Sequence, residues 1–347
     1  MKHFSITGLV TAALLATPAM AQVNLTAETA SPGGAVHLAP SHLVEVASQA
    51  GIANIQLTDG QTLTNSVQNV AEGKTDIAST PYILPFLLAR GVGPYGSVGK
   101  EKGAELAANL RAIYPYTLGV FFLMAYDAKQ IGGWDDLKGR KIYNGPPRGA
   151  ALTNARSMIQ IITGLKDGDD YEGMQANWGQ ASAIITGGEP DAVVLPELFP
   201  SGRVTQMAAA GKVTGWSMPK DVYEGDAMQK YLKAPGSAPF EIDVKVANDA
   251  LGENWTLLSE DGVFRGLATV GGDIVHKDMD EELVYQMVKA YVATLDDLMK
   301  KTPFAANVSF DNPTQGMCGA NPLKFHNGAV RAWEEAGFDI PDCAKDG

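Results

Sequence analysis

Between Trp134 and Gly164 the chain reads WDDLKGRKIYNGPPRGAALTNARSMIQIITG, a short strand, a Gly/Pro loop and an amphipathic helix in direct succession. Lys141–Tyr143 has strand character and runs into Asn144-Gly145-Pro146-Pro147-Arg148-Gly149. Beyond it Leu152, Ala155, Ile159 and Ile162 recur at helical spacing until Gly164 stops the helix. A strand that turns straight into a helix belongs to an α/β packing. The joint also places the first N–H groups of the helix, unpartnered and at the positive end of its dipole, at Gly149–Ala151, where an anion can sit. Arg148 adds a guanidinium fork suited to a carboxylate or phosphate. Such joints are often purely structural, so this one does not define a ligand site by itself.

The same alternation runs along the chain. Val36–Ala50 reads as a helix, Ala53–Leu57 as a strand, Thr62–Glu72 as a helix closed by Gly73, and Asp76–Ser79 as a strand. This β-α-β-α-β order implies a parallel sheet. A second series opens with the apolar run Leu118–Ala125. It continues through Lys141–Tyr143, the helix after Arg148, a strand at Met174–Asn177, a helix near Gln180–Thr186 and a strand at Ala192–Leu195. Later, Leu267–Val275 is strand-like, and Asp280–Leu298 predicts one helix with Leu283, Met287, Val288, Tyr291, Leu295 and Leu298 on one face. The layout fits two similar α/β lobes. With no low-complexity linker between them, crossovers within a compact hinge are expected.

Lys2, the apolar run Ile6–Ala16 and Ala19-Met20-Ala21 form a leader with an A-x-A cleavage site, so residues 1–21 are expected to be removed and the protein to work in the periplasm. The apolar run is too short to span a bilayer and no Cys follows the cleavage site, so no direct membrane anchoring is expected. The roughly 325 residues that follow fit two domains or one large one, and 45% hydrophobic content is ample for two cores. The formal charge of −12 becomes −13 once Lys2 is lost, and no basic run exists. Nucleic acid and anionic membranes are therefore poor partners. An anion would need local help from helix starts and an Arg. Cys318 and Cys343 are the two cysteines. In an oxidising compartment they read as one disulfide, with two free thiols as the alternative.

Several ordered segments are more specific: Leu110-Arg111-Ala112-Ile113-Tyr114-Pro115, WDDLKGRKI, and GPPRGAALTNAR over Gly145–Arg156. To these add Asn65 with Glu72-Gly73-Lys74-Thr75-Asp76-Ile77, Gly187-Gly188-Glu189-Pro190-Asp191-Ala192, Asp280–Leu295, and the closing stretch Asn321–Gly337, NPLKFHNGAVRAWEEAG. Together they resemble the TAXI family of TRAP-transporter solute receptors over most of the chain. The resemblance implies an α/β, two-lobed periplasmic binding protein of type II with hinge strands between the lobes. Lobe I would be 22–117 and 266–347, and lobe II 118–265. It also implies a small organic acid ligand in the cleft and delivery to TRAP membrane permease subunits. Where the family has a hydroxyl-rich Pro-Gly-Ser-Gly-Thr-Glu loop, this chain has Pro147-Arg148-Gly149-Ala150-Ala151-Leu152, which favours a carboxylate gripped by Arg148.

Carried over by position, lobe I would offer Ser31, Gly33 and Gly34, then Gln61, Thr62 and Asn65, then Thr80 and Tyr82. Lobe II would offer Asn144, Arg148, Gly149, Ala150, Leu195 and Glu197. All lie at strand ends or helix starts, where open α/β sheets bind ligands. Thr62 and Asn65 suit ordinary capping equally well, and Tyr82 and Tyr116 suit the core.

Other chemistry fails on context. Gly91-Val92-Gly93-Pro94-Tyr95-Gly96 spells G-x-G-x-x-G, but Pro94 spoils the strand-to-helix setting a dinucleotide needs, and no cofactor is expected. His37, His42, His276 and His326 have no metal-ligand spacing. No hydrolase motif stands out, so a binding protein rather than an enzyme is expected. A periplasmic enzyme on the same fold would need Glu197 as acid or base. A binding partner of a sensor kinase is a third reading.

Overall fold

The computed structural model describes residues 22–30, 32–147, 149–302, 305 and 310–346; the expected leader, Ser31 and Arg148 lie outside the described residues. The first half opens with β1 (Val23–Glu28), α1 (Ala35–Gln49), β2 (Ala53–Thr58), α2 (Leu63–Ala71), β3 (Ile77–Pro81), α3 (Ile83–Arg90) and α4 (Lys100–Ala107). The long strand β4 (Leu110–Tyr126) then carries the chain into the second half. There follow β5 (Lys141–Tyr143), α5 (Ala150–Thr163), β6 (Glu172–Met174), α6 (Trp178–Thr186), β7 (Ala192–Glu197), α7 (Gly202–Ala210) and β8 (Val213–Trp216). After these come α8 (Lys220–Glu224), α9 (Asp226–Leu232), β9 (Ser237–Asp243), α10 (Val244–Leu251) and β10 (Trp255–Leu258). The second long strand, β11 (Val263–His276), returns to the first half, followed by α11 (Glu281–Ala293), α12 (Leu295–Lys300), β12 (Lys324–Phe325) and α13 (Asn327–Glu335).

The two long strands are shared by both halves. β4 and β11 pair antiparallel from Leu110/His276 to Phe121/Leu267. On the far edge of β11, β3 bonds Gly271–Val275 and β9 bonds Val263–Thr269. β4 continues past the overlap to bond β7 and β8. The path through the sheet is thus β2-β1-β3-β11-β4-β7-β5-β6.

The parallel pairing expected from the β-α-β-α-β order holds within each half, while the crossover strands make the whole sheet mixed. β1 with β2 and β3, and β5 with β6 and β7, are parallel, but the chain leaves the first half along β4 and comes back along β11, so every pairing with those strands except the short β12 is antiparallel. The single helix expected over Asp280–Leu298 is two. Thr294 sits between them at φ −119°, ψ 18°; its hydroxyl bonds back to Ala290 O at 2.8 Å and lies 2.9 Å from His42 Nε2. A β-branched residue held from α1 in this way ends one helix and starts the next. The strand expected at Met174–Asn177 ends at Met174, because Ala176 N–H turns to the Gly145 carbonyl at 3.2 Å.

Residues expected on one face of α11 and α12 are buried: Leu283, Val288, Tyr291, Leu295 and Leu298 all join the main core. Leu152, Ala155 and Ile159 of α5 are buried too, and Gly164 stops that helix at φ 77°. Cys318 and Cys343 are bonded, with Cα atoms 5.4 Å apart. Arg111 Nε donates to Asp346 at 2.8 Å, so the tail is tied to β4 as well.

Candidate functional site

In the first half, β1 ends in a loop whose Gly33 and Gly34 lead into α1, with Gly34 as an N-cap that has no side-chain cap bond. Gln61, Thr62 and Asn65 are exposed at the start of α2, and Thr62 is its N-cap residue. At the end of β3, Thr80 is buried and its hydroxyl donates to Pro81 O at 3.1 Å. Tyr82 is fully buried. Gly272 on β11 lies against it: a Cβ there would stand 2.2 Å from both the Tyr82 hydroxyl and the Tyr114 carbonyl.

In the second half, β5 ends at Asn144, which is buried and spent on its neighbours. Its Nδ2 donates to Asp167 at 3.1 Å and its Oδ1 accepts from Gln175 at 2.8 Å. Gly149 caps α5 at φ 107°, a conformation that favours glycine, and Ala150 begins the helix. β7 ends with Leu195 and Glu197, both buried. Both oxygens of Glu197 accept: Oε2 from Ser201 Oγ at 2.6 Å, Oε1 from the Nε of Arg203. Ser201 also caps α7, accepting from Val204 N–H at 3.1 Å. The Arg203 guanidinium lies over the Trp178 ring, 5.0 Å from its centroid. Tyr143 is the next neighbour: burial pushes its hydroxyl up to about 12, while the Arg203 charge pulls the other way.

Glu197 is among the residues expected at the site from sequence; Ser201, Arg203 and Trp178, which the fold gathers around it, are not. The signal was present: an acid at a strand end, then a hydroxyl four residues on and a cation six on, at a helix start.

The two halves meet at these loops. A Cβ on Gly202, the first residue of α7, would stand 3.7 Å from the Gly33 carbonyl oxygen. On the shared strands, Val270 N–H donates to Gly236 O at 2.9 Å, and Gly236 packs on Ile83. A cavity of about 820 Å³ opens beside β9, lined by Thr117, Ala238, Phe240, Gln315 and Gly316 among others. None of the residues expected at the site lines it.

Beneath the end of β3 is a buried polar cluster. Asp273 is fully buried and accepts hydroxyls from Ser79, Tyr114 and Tyr116, each at 2.7 Å. Burial pushes its carboxyl up to about 6, with the three hydroxyls pulling the other way. The closing stretch of the resemblance is packing rather than site. His326 caps α13, Gly328 lies against Glu281 O, and Trp333 Nε1 donates to Ile113 O at 3.0 Å. Among the described residues no group of three or more His, Cys, Asp or Glu could hold a metal ion, and no helix is long and apolar enough to cross a membrane.

The chain belongs to the NMT1-like family, which it matches over residues 28–235 and 257–337. No curated protein matches it. Solved structures with similarity include the periplasmic aliphatic sulphonate binding protein SsuA from Escherichia coli, at 13% identity and TM-score 0.45, covering 90% of this chain and 83% of that one. A TRAP periplasmic solute binding protein from Rhodobacter sphaeroides has 13% identity and TM-score 0.44, covering 90% and 92%. A nutrient binding protein from Burkholderia cenocepacia bound to methionine has 13% identity and TM-score 0.43, covering 83% and 100%.

Proposed function

We propose that this chain is the periplasmic solute-binding subunit of a TAXI-type TRAP transporter. It closes on a small organic anion, a carboxylate, between lobe I (22–117 and 266–347) and lobe II (118–265), and hands it to the membrane permease. Membership of the NMT1-like family and the ordered motifs support this reading. The observation that carries it is the approach of Gly33 to Gly202, which sets the start of α1 in one half against the start of α7 in the other, across two shared strands. Helix starts favour negative charge. Gly149 and Ala150 at the start of α5, with Arg148 beside them in the sequence, are proposed to add to that preference.

Binding without turnover fits Glu197. A general acid or base must reach the proton it moves, and this carboxylate is 2% exposed with both oxygens occupied. A thermal-shift screen of acidic metabolites, with product analysis of each hit, tests the reading. A raised melting temperature with unchanged solute supports it, and conversion of the solute overturns it.

A further inference from the structure

Arg203 stands where a cation is electrostatically out of place, in the first turn of α7 at the positive end of the helix dipole. It is held there by Glu197, itself fixed by Ser201. Glu197 occupies only Nε; among the described residues the two terminal nitrogens of Arg203 have no hydrogen-bond partner. The guanidinium therefore presents its end-on edge, the pair of donors that matches a carboxylate. Trp178, over which it lies, is 41% exposed and is the one exposed aromatic residue among the described residues. An exposed indole beside a half-buried guanidinium is a surface with flat apolar and charged parts side by side.

We infer that Arg203 is the residue that grips the acid group of the ligand, with Trp178 covering the carbon skeleton next to it, so that the site selects compact carboxylates over neutral or cationic solutes. This rests on the solute-receptor reading above. Glu197 and Ser201 are positioning residues: they hold the fork in place and touch no ligand themselves.

Calorimetry on the full periplasmic chain tests the inference with a defined panel: acetate, pyruvate, succinate, L-glutamate and benzoate as acids, with L-leucinamide, glucose and putrescine as controls. For the acid that binds tightest, Arg203→Gln should weaken binding by about 30-fold or more. Arg203→Lys should recover part of it, since an ammonium lacks the planar fork, and Trp178→Ala should cost about tenfold. Because Arg203→Gln strands a buried carboxylate, the pair Arg203→Gln with Glu197→Gln is measured beside it, and it should fold and still fail to bind. Acid binding that survives in the double variant but is lost in Arg148→Gln overturns the inference and leaves the receptor reading standing. Binding of the controls alone overturns the choice of acids while solute capture stands. No heat with any member of the panel counts against both.

Discussion

The hydroxyl of Tyr114 donates to Asp273 Oδ2 at 2.7 Å, and the other face of the same ring system continues the cluster, since Tyr114 stacks on Tyr291 with centroids 3.8 Å apart. Tyr291 in turn meets His42 edge-on at 5.7 Å. A buried acid and a buried imidazole thus belong to one packed group, and both titrate in mildly acidic solution.

Their effects on stability have opposite signs. Burial raises Asp273 to about 6, against the Tyr116, Ser79 and Tyr114 hydroxyls that donate to it. The folded state then holds a proton that the unfolded chain has released, and this contribution is lost as pH rises from about 4 to 6. Burial and Lys301 lower His42 to about 4, against Glu45 and Asp297. The unfolded chain protonates first, so this contribution is lost as pH falls from about 6.5 to 4. Each amounts to something on the order of 3 kcal/mol, and in the wild type they offset each other. Relative to wild type, Asp273→Asn should lose stability between pH 6 and 4.5, and His42→Gln should gain it. Urea unfolding at several pH values checks this, and parallel pH profiles in all three proteins would contradict it.

Gly272 should tolerate no side chain. Gly272→Ala drives a methyl into the Tyr82 hydroxyl and the Tyr114 carbonyl, and should destabilise by about 3 kcal/mol. Tyr82→Phe removes a buried hydroxyl without a hydrogen-bond partner among the described residues, and should leave stability unchanged or raised by up to about 1 kcal/mol. Because the backbone contact remains, Tyr82→Phe should not rescue Gly272→Ala. Thermal unfolding of the three variants measures all of this.

At the seam, a methyl on Gly202 would meet Gly33 only at ordinary contact distance. Gly202→Ala should bind solute as the wild type does. Gly202→Trp should hold the halves apart and weaken binding by about tenfold or more while the melting temperature of the free protein stays the same. Small-angle scattering with saturating ligand should show compaction for Gly202→Ala and none for Gly202→Trp.

The Cys318–Cys343 bond closes a 25-residue separation, and its reduction should cost roughly 3 kcal/mol in the chain-entropy picture. Denaturant titration with and without reductant reads the loss. Ligand affinity should not change, because neither cysteine belongs to the loops that face one another across the seam.

What the sequence made legible was local. The 3–4 spacing in α5 and the Gly164 stop, the helices on either side of Ala53–Leu57, and the cysteine pair can all be read from neighbouring residues. What it hid was long-range. β4 runs from Leu110 because β11 pairs with it there, and nothing local in Leu110–Tyr116 says that the partner is more than 150 residues away. β9, with Pro239 in its middle, is a strand only because Val263–Thr269 bonds it on one edge. At the site, Glu197 could be picked out by its place at a strand end, but its two partners, Ser201 and Arg203, could not be read from that place alone. The spacing of Glu197, Ser201 and Arg203 is legible in the sequence, but the approach of the Arg203 guanidinium to the Trp178 ring is not, because α6 and α7 meet only in the folded chain.

The sharing of β4 and β11 also sets an order of assembly. Ser79 and Asp273, bonded in the finished protein, are 194 residues apart, whereas β5 through β10 lie on one continuous stretch of chain. Pairings between distant residues form late and leave edges open to wrong partners in the meantime. A chain that emerges amino end first therefore makes β1, β2 and β3 early but cannot cover the free edge of β3 until β11 has appeared. During synthesis the earliest strands keep an open edge until roughly 200 residues more have been made.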